Sequence, residues 1–178
     1  AKKLLTAGSK IFGISIANVG RDAWAIARSI AQGTGNVRAM YEMERAIYRL
    51  APDSGNNKRY YKLLYMAMGK DEETYRYIYD DMKKRGYTDS QLQTGIKNII
   101  KDSGADEGDM RKQLEEIGYS GDEAQEVMDK WAFKEKYGYD YSDKREAFAE
   151  GTITRQQLID EIVKIDGNTR EEAESAVT

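Results

Sequence analysis

The 178-residue chain has no cysteine, no histidine and a single proline. Without cysteine there is no disulfide framework, thiolate nucleophile, zinc finger or iron–sulfur site. Without histidine the commonest general base and metal ligand is missing as well, which excludes Ser-His-Asp and Cys-His hydrolysis. Chemistry would have to rest on carboxylates, lysine or tyrosine, and the expectation is a protein that is not an enzyme and has no cofactor. Long apolar runs are also lacking. The longest, Ile11 to Val19, is broken by Gly13, Ser15 and Asn18 and falls far short of the roughly 20 residues of a membrane span. Lys2-Lys3 precedes only this broken run, with no cleavage pattern, so no signal peptide is expected. These absences point to the cytoplasm, or the inside of a particle assembled there. Ala1 in place of Met fits either trimming of an initiator Met or excision from a longer polypeptide, and a chain that still reads as helix at Thr178 favours excision.

Charge is distributed unevenly. Residues 1 to 65 hold eleven lysines and arginines against Asp22, Glu42, Glu44 and Asp53, a balance of +7 within an overall −3. The remainder is therefore −10, and such asymmetry points to an anionic partner for the first part or to attraction between the parts.

Apolar spacing predicts helices throughout and an all-α fold. Val19, Ala23, Ile26, Ala27 and Ile30 follow a 3.6-residue period, with Asn18 as N-cap and Gly33-Thr-Gly35 as the stop. A second helix starts after Asn36, carries Met40, Met43, Ile47 and Leu50 on one side and ends at Pro52. Trp24 and Tyr41 lie beside these stripes. The turn formers from Pro52 to Asn57 mark a boundary between a basic amphipathic segment, 1–52, and an acidic array, 58–178. Within the array, Lys58 to Met68 aligns Tyr61, Leu64, Tyr65 and Met68, with Gly69 as its stop. Asp71 to Arg85 aligns Tyr75, Ile78, Tyr79 and Met82. The only β-type candidate is Ile14 to Ile16.

Three places share one local grammar. Gly86, Gly118 and Gly167 suit the left-handed position that ends a helix. Two residues later stand Thr88, Ser120 and Thr169 as N-caps, with Gln91, Glu123 and Glu172 three further on, which is the reciprocal capping box. Apolar residues flank each turn: Ile78, Met82, Leu92 and Ile96; Met110, Leu114, Ala124 and Met128; Ile159, Val163, Ala173 and Val177. The pattern predicts degenerate helical hairpins, 32 and 49 residues apart by their glycines, docked on a shared core. Between the second and third lie Trp131, Phe133, Tyr137, Tyr139, Tyr141 and Phe148, read as core between hairpins or as a partner-binding pocket.

Tyr61-Lys-Leu-Leu-Tyr-Met-Ala67, Gly69-Lys-Asp71, Tyr75, Tyr79 and Gly86-Tyr-Thr88 resemble helical-hairpin segments near the C-termini of large polyvalent proteins of phages and mobile elements. Tyr139-Asp-Tyr-Ser142, Ala147-Phe-Ala-Glu-Gly-Thr-Ile153 and Asp166-Gly-Asn-Thr-Arg-Glu-Glu-Ala173 are similar to the tail of the same group, and Gly13 to Asp22 to the stretch preceding it. The resemblance implies a non-catalytic helical region of a longer protein, packaged in a virus particle or delivered with DNA. It carries over no catalytic residue. Leu114-Glu-Glu-Ile-Gly-Tyr-Ser120 with Ala124 and Val127 also resembles the first two helices of ubiquitin-associated domains, which bind partners through a Gly-aromatic loop.

Other motifs yield no site. Gly33-Thr-Gly35 beside Arg38 lacks the strand and the Gly-Lys-Ser/Thr ending of a phosphate loop. Asp102, Asp106 and Asp109 lack the glycine and glutamate of a calcium loop, Glu107 and Gln113 standing at those positions, so no metal is expected. Glu115-Glu116 and Glu171-Glu172 read as solvated helix faces and first turns. The remaining signal is basic: Arg21, Arg28, Arg38, Arg45, Arg49, Lys58 and Arg59 at near-helical spacings, with Trp24, Tyr41 and Tyr48 for stacking, form a candidate nucleic-acid stripe. The expected function is a structural and interaction domain whose partners are other protein segments, with DNA or RNA binding by residues 1–65 as the alternative.

Overall fold

The computed structural model describes residues 33–178. The helix from Asn18, the Ile14 to Ile16 run, and Arg21, Trp24 and Arg28 lie outside them. The described residues are all-α, with no strand. Nine helices follow in order: α1 (Val37–Ile47), α2 (Asn57–Met68), α3 (Glu72–Lys84), α4 (Asp89–Lys101), α5 (Glu107–Glu116), α6 (Gly121–Tyr137), α7 (Lys144–Ala149), α8 (Arg155–Asp166) and α9 (Arg170–Ala176). A 3₁₀ turn, Tyr141–Asp143, precedes α7. The chain divides into two compact units between Ser103 and Gly104.

In the first unit α2 is the central helix, packed on α1, α3 and α4. That position corrects the face expected for it. Tyr60, Leu63, Leu64 and Ala67 are buried, while Tyr61, Tyr65 and Met68 are half-buried. A helix with neighbours on several sides needs a wide apolar arc, and a single stripe understates it. Gly69 does end α2, but in right-handed geometry at φ −83°.

α1 begins as expected, with Asn36 Oδ1 accepting from Ala39 N at 3.0 Å. It ends five residues before Pro52, because Tyr48 turns to extended geometry, φ −104° and ψ 133°. The reason is tertiary. The buried Tyr60 hydroxyl lies 2.5 Å from Tyr48 O, just past the helix end, and 3.1 Å from Glu44 O, which also accepts from Tyr48 N at 2.7 Å. Leu50 is still buried, but from the following loop, and Ile47 is 46% exposed, so the expected Met40 to Leu50 stripe does not continue as one helix face. The turn from Pro52 to Asn57 lies inside this unit and is tied down: Asn57 Nδ2 donates to Pro52 O at 2.9 Å, and the Tyr87 hydroxyl donates to Asn57 Oδ1.

The three expected turns have the expected backbone. Gly86, Gly118 and Gly167 hold φ 101°, 110° and 69°, and each following capping box is complete. After Gly118 and Gly167 the flanking helices, α5 with α6 and α8 with α9, pack on each other. At Gly86 they do not form such a hairpin. α4 swings onto α2 instead, and α3 packs on α2 and α1, because the half-buried ring of Tyr61 and the buried ring of Tyr87 stand edge to face at 6.1 Å between these elements.

The second unit centres on α6 and α8. Its core gathers Phe133, Tyr137, Tyr141, Ala147, Ile153, Leu158, Ile159, Ile162, Ile165 and Ala173, while Leu114, Ala124 and Met128 are buried along α5 and α6.

Candidate interaction surfaces

The described basic candidates of the first unit do not form one free stripe. Arg45 is turned inward, its side chain 13% exposed, and Nη1 lies 2.8 Å from Asp81 Oδ2. The fully buried Tyr41 donates its hydroxyl to the same oxygen at 2.5 Å. One carboxylate of α3 thus receives two donors from α1, and Tyr41 has no ring face left for a base. Burial first, and then this hydrogen bond, raise the Tyr41 hydroxyl far above the ordinary tyrosine pKa.

Arg38 lies 4.0 Å from the centre of the Tyr77 ring and 3.6 Å from Glu42. Arg59 covers the Tyr48 ring at 4.0 Å and reaches Glu44 at 3.5 Å. Such stacked guanidinium groups are ordered by the fold. Arg49 remains 72% exposed, near Asp53 at 3.6 Å, and Lys58 is exposed. The structure therefore separates the five described candidates: Arg45 is structural, Arg38 and Arg59 are stacked on tyrosines, and Arg49 and Lys58 face solvent.

An open cleft of about 580 Å³ runs between α1 and α2. Met40 and Leu63, both almost buried, form its floor with the half-buried Met66. Lys58, Arg59 and Lys62 stand along its edge. Lys62 and the cleft were missed from sequence; the cue was the i, i+4 pair Lys58 and Lys62 beside Leu63 and Met66 on one helix.

The aromatic candidates of the second unit are mainly interior. Phe133, Tyr137 and Tyr141 are 1%, 9% and 7% exposed, with Phe133 ring centres 4.8 Å from Tyr137 and 5.3 Å from Tyr141. The Tyr141 hydroxyl donates to Asp166 Oδ2 at 2.8 Å. Burial, then that bond, raise its pKa. Tyr139 bonds to Glu150 and is half-buried, as is Trp131, so only these two of the five offer ring edges to a partner. A smaller cleft of about 270 Å³ lies among α7, α8 and α9, with Phe148, Leu158 and Ile162 beside Lys144 and Arg145.

Asp106 is the N-cap of α5, accepting from Asp109 N at 2.8 Å, which accounts for the carboxylate that suggested a calcium loop. Among the described residues no group of three metal-ligating side chains gathers, and no helix is long and apolar enough to cross a membrane. Comparison of the chain with protein-family models, with curated proteins and with solved structures finds no match.

Proposed function

We propose that this chain is a non-catalytic structural and interaction domain, part of a larger phage or mobile-element protein, that docks other protein segments through its helix faces in the cytoplasm or inside a virus particle. The observation that carries the reading is the bonding of Asp81 to both Tyr41 and Arg45. A carboxylate, a phenol and a guanidinium, three groups suited to chemistry or phosphate contact, are here joined to each other in the interior. Tyr87 and Tyr141 are used in the same way, with their pKa values raised by burial, so these phenols stay protonated near neutrality and do not act as bases. What the surface offers is an apolar floor bordered by cations, a chemistry suited to protein docking.

The second reading is nucleic-acid binding through residues 1–65, supported by the +7 balance of that segment and the exposure of Arg49 and Lys58.

Cross-linking through lysine amines in cells that make the natural polypeptide, read by mass spectrometry, separates the two. Links from Lys58 or Lys62 to other protein segments, unaffected by nuclease, are the expected result. Adducts that vanish on nuclease treatment overturn the docking reading.

A further inference from the structure

We infer that the cleft between α1 and α2 is a docking groove for an acidic amphipathic helix of a protein partner. The inference rests on the interaction-domain reading and names the chemistry of the partner. Apolar side chains of that helix would lie on Met40, Leu63 and Met66, and its carboxylates would meet Lys58 and Lys62.

Charge complementarity argues for this occupant. The first turn of α2 contains no acid yet carries Lys58 and Arg59 at the positive end of the helix dipole, where cations are disfavoured. Asn56, the N-cap, makes no side-chain capping bond. Arg59 is held by Glu44, whereas Lys58 and Lys62, one helical turn apart, form no ion pair with any described residue. Among the described residues the groove therefore keeps two ammonium groups without an ion pair beside an aliphatic floor. From Lys58 to Met66 it runs about 12 Å along α2, about two turns of a docked helix.

The groove suits protein better than nucleic acid. Among the described residues no aromatic ring lines it, so these offer bases no stacking platform. Methionine and leucine floors adapt to aliphatic side chains. The chain's own residues 1–32 carry Lys2, Lys3, Lys10, Arg21 and Arg28 against Asp22 alone, a charge of the same sign as the groove's edge.

The test uses the full chain and a fluorescein-labelled helical peptide of glutamate and leucine, with leucines at i, i+3, i+4 and i+7. Its comparison probes are a scrambled peptide of the same composition and a version with lysine for glutamate. The variant is Lys58→Glu with Lys62→Glu. Glutamate at 58 is favoured at a helix start, so this variant keeps or raises its melting temperature, and lost binding cannot come from unfolding. The expected result is binding of the acidic amphipathic peptide alone, weakened about tenfold or more in the variant.

Equal binding of the scrambled peptide, or no response to the charge reversal, overturns the groove. So does concentration-dependent dimerisation that the reversal abolishes, which would make a second copy the occupant. An oligonucleotide that displaces the peptide and binds more tightly overturns both the groove and the interaction-domain reading. If neither peptide nor oligonucleotide binds while native protein cross-links persist, only the groove falls.

Discussion

The ring of Tyr61 on α2 lies against the backbone of Gly95 on α4 so closely that a β-carbon at Gly95 would come within 2.5 Å of three ring atoms. Gly95 is buried in mid-helix, where glycine normally costs about 1 kcal/mol relative to alanine. Here the absence of a side chain is what lets α4 approach α2. Gly95→Ala should therefore destabilise the chain by about 1–3 kcal/mol, despite alanine's helix propensity. Chemical denaturation measures this, and adding Tyr61→Ala should remove most of the penalty in a double-mutant cycle. A stabilised single variant would contradict the packing.

Removing Asp81 should cost more than removing the Tyr41 hydroxyl. Tyr41→Phe leaves Asp81 paired with Arg45 and loses one hydrogen bond, about 1 kcal/mol. Asp81→Ala strands both a buried hydroxyl and a guanidinium whose side chain is 13% exposed, at a cost of about 2–4 kcal/mol. Equal effects in urea unfolding would mean that the three groups do not act together.

Alkali should unfold the protein. Burial, and then the Tyr61 ring and Asp53, push the Tyr87 hydroxyl from 10.0 up to about 12; burial likewise leads the upward shifts of Tyr41, Tyr60, Tyr79 and Tyr141. Below the unfolded-state pKa both states hold these protons and the stabilisation is complete. Above it the unfolded chain releases protons that the fold retains, so stability falls as pH rises from 10.0 through about 12. Tyrosinate absorbance followed together with circular dichroism should show the buried phenols ionising as helix is lost. Free ionisation of all tyrosines near the ordinary pKa, with helix intact, would refute the burial.

The turn glycines should differ in tolerance. Gly167 sits at φ 69°, within reach of asparagine, whereas Gly118 sits at φ 110°, outside the left-handed well. Gly118→Asn should lower stability by about 1–2 kcal/mol and Gly167→Asn by less. Thermal melts of the two variants give the comparison directly.

Local chemistry was the legible part of this fold. Asn36, Thr88, Ser120 and Thr169 announce helix starts through hydrogen bonds that span three residues, and these survive any tertiary arrangement. A fourth capping box, Thr154 with Gln157, escaped notice because Thr154 stands three residues after Gly151 where the others stand two. The illegible part was pairing at a distance. Nothing near Tyr41 says that its partner is 40 residues away at Asp81, and nothing near Arg45 distinguishes an inward arginine from a surface one. The arginine spacing therefore suggested a stripe, which α3 breaks by supplying a carboxylate. The face of α2 was misjudged for a related reason, since periodicity gives the direction of one apolar side but not the number of helices that will cover it.

The most direct measurement is fluorescence anisotropy of labelled single- and double-stranded DNA titrated with this chain at about 50 and about 200 mM salt. With Arg45 in the interior and Arg38 and Arg59 stacked on tyrosines, the account predicts binding to neither DNA, even at the lower salt. Tight binding at the lower salt that falls by about a thousandfold or more at the higher would contradict it and make the basic half a phosphate-contacting surface.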